Sequence, residues 1–143
     1  MVSGAMTVEE RAAFLAEVRV GVLAIERPGR GPLALPIWYV VDDGLVKMSI
    51  SRSSLKGRLL ADDVERATLT VQDEAPPYRY AAVEGPVALS DELLDVEALA
   101  ARYLGAELGA WYAQENPHTD DTATAVLTPE TWNTYDFGKV LAG

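Results

Sequence analysis

The sequence predicts a mainly β fold, an antiparallel barrel closed or nearly closed on itself with a few helices at its periphery. Three observations lead there. About six to seven short runs rich in Val, Ile, Leu and Tyr recur along the chain with period-two alternation, at residues 20–25, 33–41, 45–50, 67–72, 78–89, 123–127 and 131–137. Turn-forming groups such as Pro28-Gly29-Arg30-Gly31, Asp42-Asp43-Gly44 and Pro76-Pro77 separate them. Helical periodicity is sparse and does not alternate with the strands, which argues against a doubly wound sheet.

Taken in order, Met1 to Met6 read as a loose leader. Thr7-Val8-Glu9-Glu10 matches a capping box, with Thr7 as N-cap and Glu10 reaching back to it, and opens a helix over about residues 7–18. Phe14, Leu15 and Val18 share its apolar face. From Arg19 the period changes to two, and the first strand runs into the Pro28–Gly31 turn. Asp42-Asp43-Gly44 folds the second strand back onto the third as a hairpin. Ser54 is placed to N-cap a short helix over residues 55–61. Within the strand at 78–89, Gly85-Pro86 predicts a bulge or bend. Residues 91–115 are helical, because Leu94, Ala98, Ala101, Leu104 and Leu108 recur at near-helical spacing. Gly105 and Gly109 are expected interruptions and Asn116-Pro117 the stop; the last two strands turn around Pro129. No repeat, linker or low-complexity stretch appears, so a single domain over residues 1–143 is expected.

Composition narrows the function. With 22 acidic against 12 basic residues and a net charge of -10, the chain lacks the basic surface that nucleic-acid binding needs. No apolar run approaches the roughly 20 residues of a membrane span. The N-terminus lacks the basic start and apolar core of a secretory signal, so the expected location is cytoplasmic. There is no cysteine, hence no disulfide, thiolate metal site or cysteine nucleophile, and one histidine cannot by itself build a zinc site or a charge-relay triad. A protein with this inventory either borrows its chemistry from a cofactor or has none.

The most informative stretch is residues 35–60. Its second half (Ser49, Ser51, Arg52, Ser53, Ser54, Lys56, Arg58) sets three cations within seven residues among hydroxyls, on an acidic chain. Ser51, Arg52, Ser54, Lys56 and Arg58 could surround a phosphate at a strand end and helix N-terminus, where free backbone N–H groups point outward. The same cations also fit the solvated face of a short helix that pairs with Asp62 and Asp63. In Pro36-Ile37-Trp38-Tyr39, alternation puts Ile37 and Tyr39 on one face and Pro36 and Trp38 on the other. Such a run can wall a planar cofactor or simply pack a core. Tyr78 and Tyr80, with Arg79 opposed, could line a pocket, an oligomer interface or an ordinary hairpin entrance. His118, in a polar loop, reads as a surface histidine. Glu84, Asp42/Asp43 and Asp62/Asp63 read as turns and solvated edges.

Taken with Val20-Gly21-Val22-Leu23-Ala24, Pro76-Pro77-Tyr78-Arg79-Tyr80, Val83-Glu84-Gly85 and Arg102-Tyr103-Leu104-Gly105, these residues resemble the flavin/deazaflavin oxidoreductase family. This is the group related to pyridoxamine 5'-phosphate oxidase, with an FMN-binding-protein-like split β-barrel, and the likeness is to its actinobacterial branch that uses coenzyme F420. The resemblance implies a homodimer with the cofactor in a groove to which both subunits contribute. By position, Pro36, Ile37, Trp38 and Tyr39 would flank the ring system. Ser49, Arg52, Ser54, Lys56 and Arg58 would hold the phosphate and anionic tail, and Tyr78 and Tyr80 would lie near the groove or the dimer contact. It also implies hydride transfer from reduced F420 to an unsaturated or conjugated acceptor, the proton coming from solvent, a tyrosine or an arginine. An FMN-dependent oxidase or reductase of the same fold, and a non-catalytic module for a flavin or tetrapyrrole, are the alternatives. Ile50 and Leu59 stand where such proteins often carry Thr and Asn.

Overall fold

A computed structural model describes residues 3–62 and 64–143. Its order is α1 (Val8–Ala16), β1 (Gly21–Ile25), β2 (Leu33–Ile37), β3 (Val40–Asp42), β4 (Leu45–Ser51), α2 (Leu55–Asp62), β5 (Arg66–Gln72), β6 (Arg79–Ser90), α3 (Val96–Leu104), α4 (Ala106–Glu115), β7 (Thr122–Leu127), β8 (Thr131–Asp136) and α5 (Phe137–Ala142).

All strand pairs are antiparallel, and the sheet runs β2-β1-β5-β6-β7-β4-β3, with β8 added on β6. Its end strands, β2 and β3, are consecutive in the chain and separated only by Trp38 and Tyr39. The sheet has therefore curled until its ends meet, and the barrel is split at that seam. The fold class is the expected one. Eight strands are seen against the expected six to seven, because residues 33–41 divide at Trp38-Tyr39.

Alternation places one face of each strand inside. Leu23, Ile25, Val46, Met48, Leu69, Val71, Val83 and Leu127 are buried, joined by Phe14 and Leu15 from α1. Each large apolar side chain enclosed this way contributes about 1.5–3 kcal/mol, the term that closes the barrel.

Four expectations need correction. Gly4–Met6, read as part of a loose leader, pack on β8: Gly4 and Met6 are buried, the Asp136 N–H donates to the Gly4 carbonyl (2.7 Å), and the Met6 N–H to Thr134 Oγ1 (2.9 Å). Met1 and Val2 lie outside the described residues. Of the bulge or bend expected at Gly85-Pro86, the bulge is absent, since β5 pairing runs through both residues in unbroken register; the strand changes partner there, β8 pairing ending opposite Glu84 and β7 pairing starting at Val87. The helix expected over 91–115 starts only at Val96, behind an Asp95 N-cap, and is two helices divided at Gly105, whose φ of +84° suits glycine. Gly109 lies inside α4 and interrupts nothing. The last strand ends at Asp136 rather than Phe137, and Phe137–Ala142 form α5, where no element was expected beyond Phe137. No helix among the described residues is long and apolar enough to cross a membrane.

Candidate functional site

The seam is held by hydrogen bonds and covered by the α3–α4 pair. The Tyr103 hydroxyl accepts from the Tyr39 N–H (3.0 Å) and lies 2.9 Å from the Arg19 carbonyl and 3.0 Å from that of Tyr39. Either carbonyl can take its single proton. The Tyr103 ring stacks on Trp38, with centroids 5.1 Å apart and planes 5° from parallel, and Tyr112 meets the same indole at 51°. One side of Trp38 is thus packed against helices. Beside it a hollow of about 280 Å³ is lined by Val20, Pro36, Ile37, Trp38, Ser49, Val96, Leu99 and Tyr112.

A second hollow, about 350 Å³, shares Ser49, Val96 and Tyr112 with the first, so the two form one groove. Its lining is polar: Ser51 from β4, Lys56 from α2, and Asn116, His118, Thr119 and Thr122 from the segment that enters β7. Sheet register explains the assembly, because β4 and β7 pair with Ser51 opposite Thr122 and Ser49 opposite Thr124. The groove therefore has an apolar, aromatic end and a cationic, hydroxyl-rich end. Among the described residues no carboxylate lines either end, in a chain of net charge -10.

Six of the residues singled out from the sequence meet in this groove: Pro36, Ile37, Trp38, Ser49, Ser51 and Lys56. The others do not. Tyr39 is 0% exposed, its ring in the core and its hydroxyl donating to the Leu15 carbonyl at 2.9 Å. Burial, with the neighbouring Tyr103, pushes that phenol up to about 12, so it keeps its proton at any working pH. Arg52 turns to Asp91 in an ion pair and lines a separate hollow with Leu60, Pro86 and Val87. Ser54 is spent on structure: its hydroxyl donates to the Ser51 carbonyl (2.6 Å) and accepts from the Gly57 N–H (3.1 Å), the expected helix cap. Arg58 is exposed and lines neither end. Tyr78 and Tyr80 lie on the β6–β8 side, where Tyr80 stacks on Tyr135 with centroids 6.2 Å apart. The suggested pairing of Lys56 and Arg58 with Asp62 is not seen, and Asp63 lies outside the described residues. Ile50, although a core residue 4% exposed, also contributes to the lining of the polar end, and Leu59 packs against the core.

Reading the sequence missed Tyr112, Asn116, His118 and Thr119 as groove residues. Their signal was available in the strand pairing: whatever precedes the partner of β4 must arrive beside Ser51. Asp121 secures this arrangement. Its carbonyl accepts from the Arg52 N–H (2.7 Å), and its carboxylate accepts from the Ser53 N–H (3.0 Å) and hydroxyl (2.6 Å).

A split barrel whose seam carries a two-ended groove defines the class of protein. No protein-family model matches the chain, and no curated protein is similar enough to match. Solved structures do share the fold. A conserved hypothetical protein of Mycobacterium tuberculosis, Rv2991, superposes with a TM-score of 0.78 at 21% identity, over 98% of this chain and 91% of that one. A structure described as an F420 reductase gives 0.59 at 24%, over 85% and 94%. The FAD and heme binding protein of Mycobacterium smegmatis gives 0.66 at 18%, over 97% and 79%. The structures that share this split barrel include ones described as an F420 reductase, as FAD-binding and as a candidate pyridoxamine 5'-phosphate oxidase, in agreement with the resemblance read from the sequence; at these identities the likeness establishes the fold alone.

Proposed function

We propose that this chain is an oxidoreductase that binds coenzyme F420 in the groove and passes its hydride to an unsaturated or conjugated small molecule. The observation that carries this reading is the groove's polarity: a Trp38–Pro36–Ile37 wall at one end, Lys56 and hydroxyls at the other, and no carboxylate among the described lining residues. Ring systems bury well against aromatic and aliphatic walls, and phosphates need cations and hydroxyl or N–H donors. When bound, the deazaflavin supplies the hydride; the residues here bind, orient and exclude water. Tyr39 and Tyr103 have hydroxyls committed to backbone groups, which leaves Tyr112 as the groove's tyrosine. A polar end larger than the apolar one suits a cofactor with an extended anionic tail, and a relative in fold is named an F420 reductase.

A second reading, FMN in place of F420, is favoured by the removal of Arg52 and Arg58 from the groove, which leaves cations sufficient for one phosphate. Titration with F420 and with FMN, followed by quenching of tryptophan fluorescence, separates the two. Micromolar binding of F420, lost on Trp38→Ala, supports the proposal; binding of FMN alone overturns it. Binding without turnover of quinones or enones by the reduced cofactor would make the protein a carrier module.

We also propose a homodimer. The outer face of β2-β1-β5-β6 carries Val20, Val22, Pro36 and Thr70, with the first two 50% and 40% exposed. Val20 and Pro36 also line the apolar end of the groove, so a second copy seated on this face would wall the ring site.

A further inference from the structure

We infer that Tyr103 is a positioning residue: it fixes the spacing of the walls at the apolar end of the groove and so sets how tightly that end holds a flat ring. This deepens, and rests on, the reading of the groove as a cofactor site. Tyr103 itself lines neither hollow. Yet the walls of the apolar end all adjoin atoms that it holds. Its hydroxyl lies 2.9 Å from the Arg19 carbonyl, whose peptide bond leads into Val20. It also meets the N–H and the carbonyl of Tyr39, each at 3.0 Å, directly after Pro36, Ile37 and Trp38. The third wall, Val96 and Leu99, stands on the same helix, two turns and one turn before Tyr103. One phenol oxygen thus ties the entry to β1, the seam and α3 together.

Other contacts keep this point in place. Arg102 donates to the Ala16 and Glu17 carbonyls at 3.0 and 3.1 Å, which fastens α3 to the end of α1. Across α3, α4 lies close at Gly109, where a Cβ would come within 2.6 Å of the Ala101 backbone. On the core side, the Tyr39 hydroxyl is bound to the Leu15 carbonyl. Trp38 is therefore gripped through the backbone of its neighbour and through its ring, which stacks on Tyr103. Removing the hydroxyl alone strands the Tyr39 N–H and the Arg19 carbonyl, so the seam widens while the stack persists. A flat ring feels such a change, because dispersion is lost within a fraction of an ångström of the best separation. A phosphate at the other end does not.

Tyr103→Phe keeps the ring and removes the tie. Riboflavin and FMN share a ring and differ by a phosphate; the deazaflavin alcohol without its anionic tail and F420 form a second pair. Tyr103→Phe should weaken both members of a pair about tenfold and leave their ratio unchanged. Tyr103→Leu, which also loses the stack, should weaken both further. Thr134→Val, which removes the acceptor of the Met6 N–H on β8, is the control for lost stability and should bind as wild type. In ligand-free protein, hydrogen exchange of the Tyr39 amide should be about tenfold faster in Tyr103→Phe. Of the three indole N–H signals only that of Trp38, identified by its loss in Trp38→Phe, should move. In wild-type protein, bound riboflavin should slow exchange of the Tyr39 amide, a measurement that needs no variant. Affinity unchanged in Tyr103→Phe, a loss confined to FMN, an equal loss in Thr134→Val, or a Tyr39 amide that ignores bound riboflavin overturns the inference. If Tyr39 and Trp38 respond as expected while neither flavin nor deazaflavin binds, the tie stands and the cofactor reading falls. If wild type and Tyr103→Phe bind the rings alike, the inference falls and the cofactor reading stands.

Discussion

Asp73 shows how one side chain secures the approach to the seam. It accepts from Arg19 Nε at 2.8 Å and Arg79 Nε at 2.7 Å, and both guanidinium groups lie over the Phe14 ring, 3.8 and 4.9 Å from its centroid. Arg19 also donates to the Phe14 carbonyl, so the cluster ties the end of α1 to the β5–β6 turn. Burial pushes the Asp73 carboxyl up, but the bonds from Arg79 and Arg19 and their charge outweigh it and hold the group below the usual range. A carboxylate with a lowered folded pKa adds stability that is fully present above its unfolded value, about 3.9, and is lost as pH falls through the folded one. Asp73→Asn should therefore cost about 2 kcal/mol at pH 7, since it strands an Arg19 side chain only 12% exposed. Urea denaturation at pH 7, 5 and 3 should show the gap between wild type and variant closing towards pH 3; a gap independent of pH would mean that packing, rather than charge, holds the cluster.

At the scale of elements, α1 and α2 were legible because their start signals are local. Thr7 and Glu10 form the expected capping box, and Ser54 caps α2 as its position predicts. Lys139 on α5 reaches the same Glu10 carboxylate at 2.7 Å. That bond, with the Thr7 N–H, holds the Glu10 carboxyl at about 2. The division of 91–115 was half legible: Gly105 was named as an interruption, while the late start at Val96 depends on Asp95 as the cap rather than on apolar spacing. Gly57 is the position where an element's placement bears most directly on the site. Gly57→Ala should push α2 away from β4, cost about 2 kcal/mol in thermal or urea denaturation, and weaken binding of FMN more than that of riboflavin. Equal weakening of both ligands would show that α2 shapes the whole groove.

For the whole molecule, the proposed dimer is built on the exposed face around Val22. Val22 sits between Pro36 and Thr70 across the sheet. Val22→Glu would bury an unpaired charge in a dimer built on this face, which costs several kcal/mol. Light scattering should then report a monomer, and cofactor affinity should fall about tenfold because one wall of the ring site leaves with the partner. A dimer that persists in Val22→Glu would place the interface elsewhere, the Tyr78–Tyr80–Tyr135 side being the next exposed aromatic surface.

The sequence by itself determined the barrel class, the succession of its strands along the chain and six of the groove's sixteen lining residues. Alternation and turn chemistry are local, and Pro36, Ile37, Trp38, Ser49, Ser51 and Lys56 sit within two neighbouring stretches of chain. Only the tertiary structure decided which cations face the groove. Arg52 and Arg58 share Lys56's stretch of sequence, yet Asp91, 39 residues away, draws Arg52 aside, and Arg58 emerges on solvent. His118, far along the chain, enters because β7 pairs with β4. Charge spacing cannot report such choices, since long-range pairing and the partner each guanidinium finds are set by how the strands close on themselves.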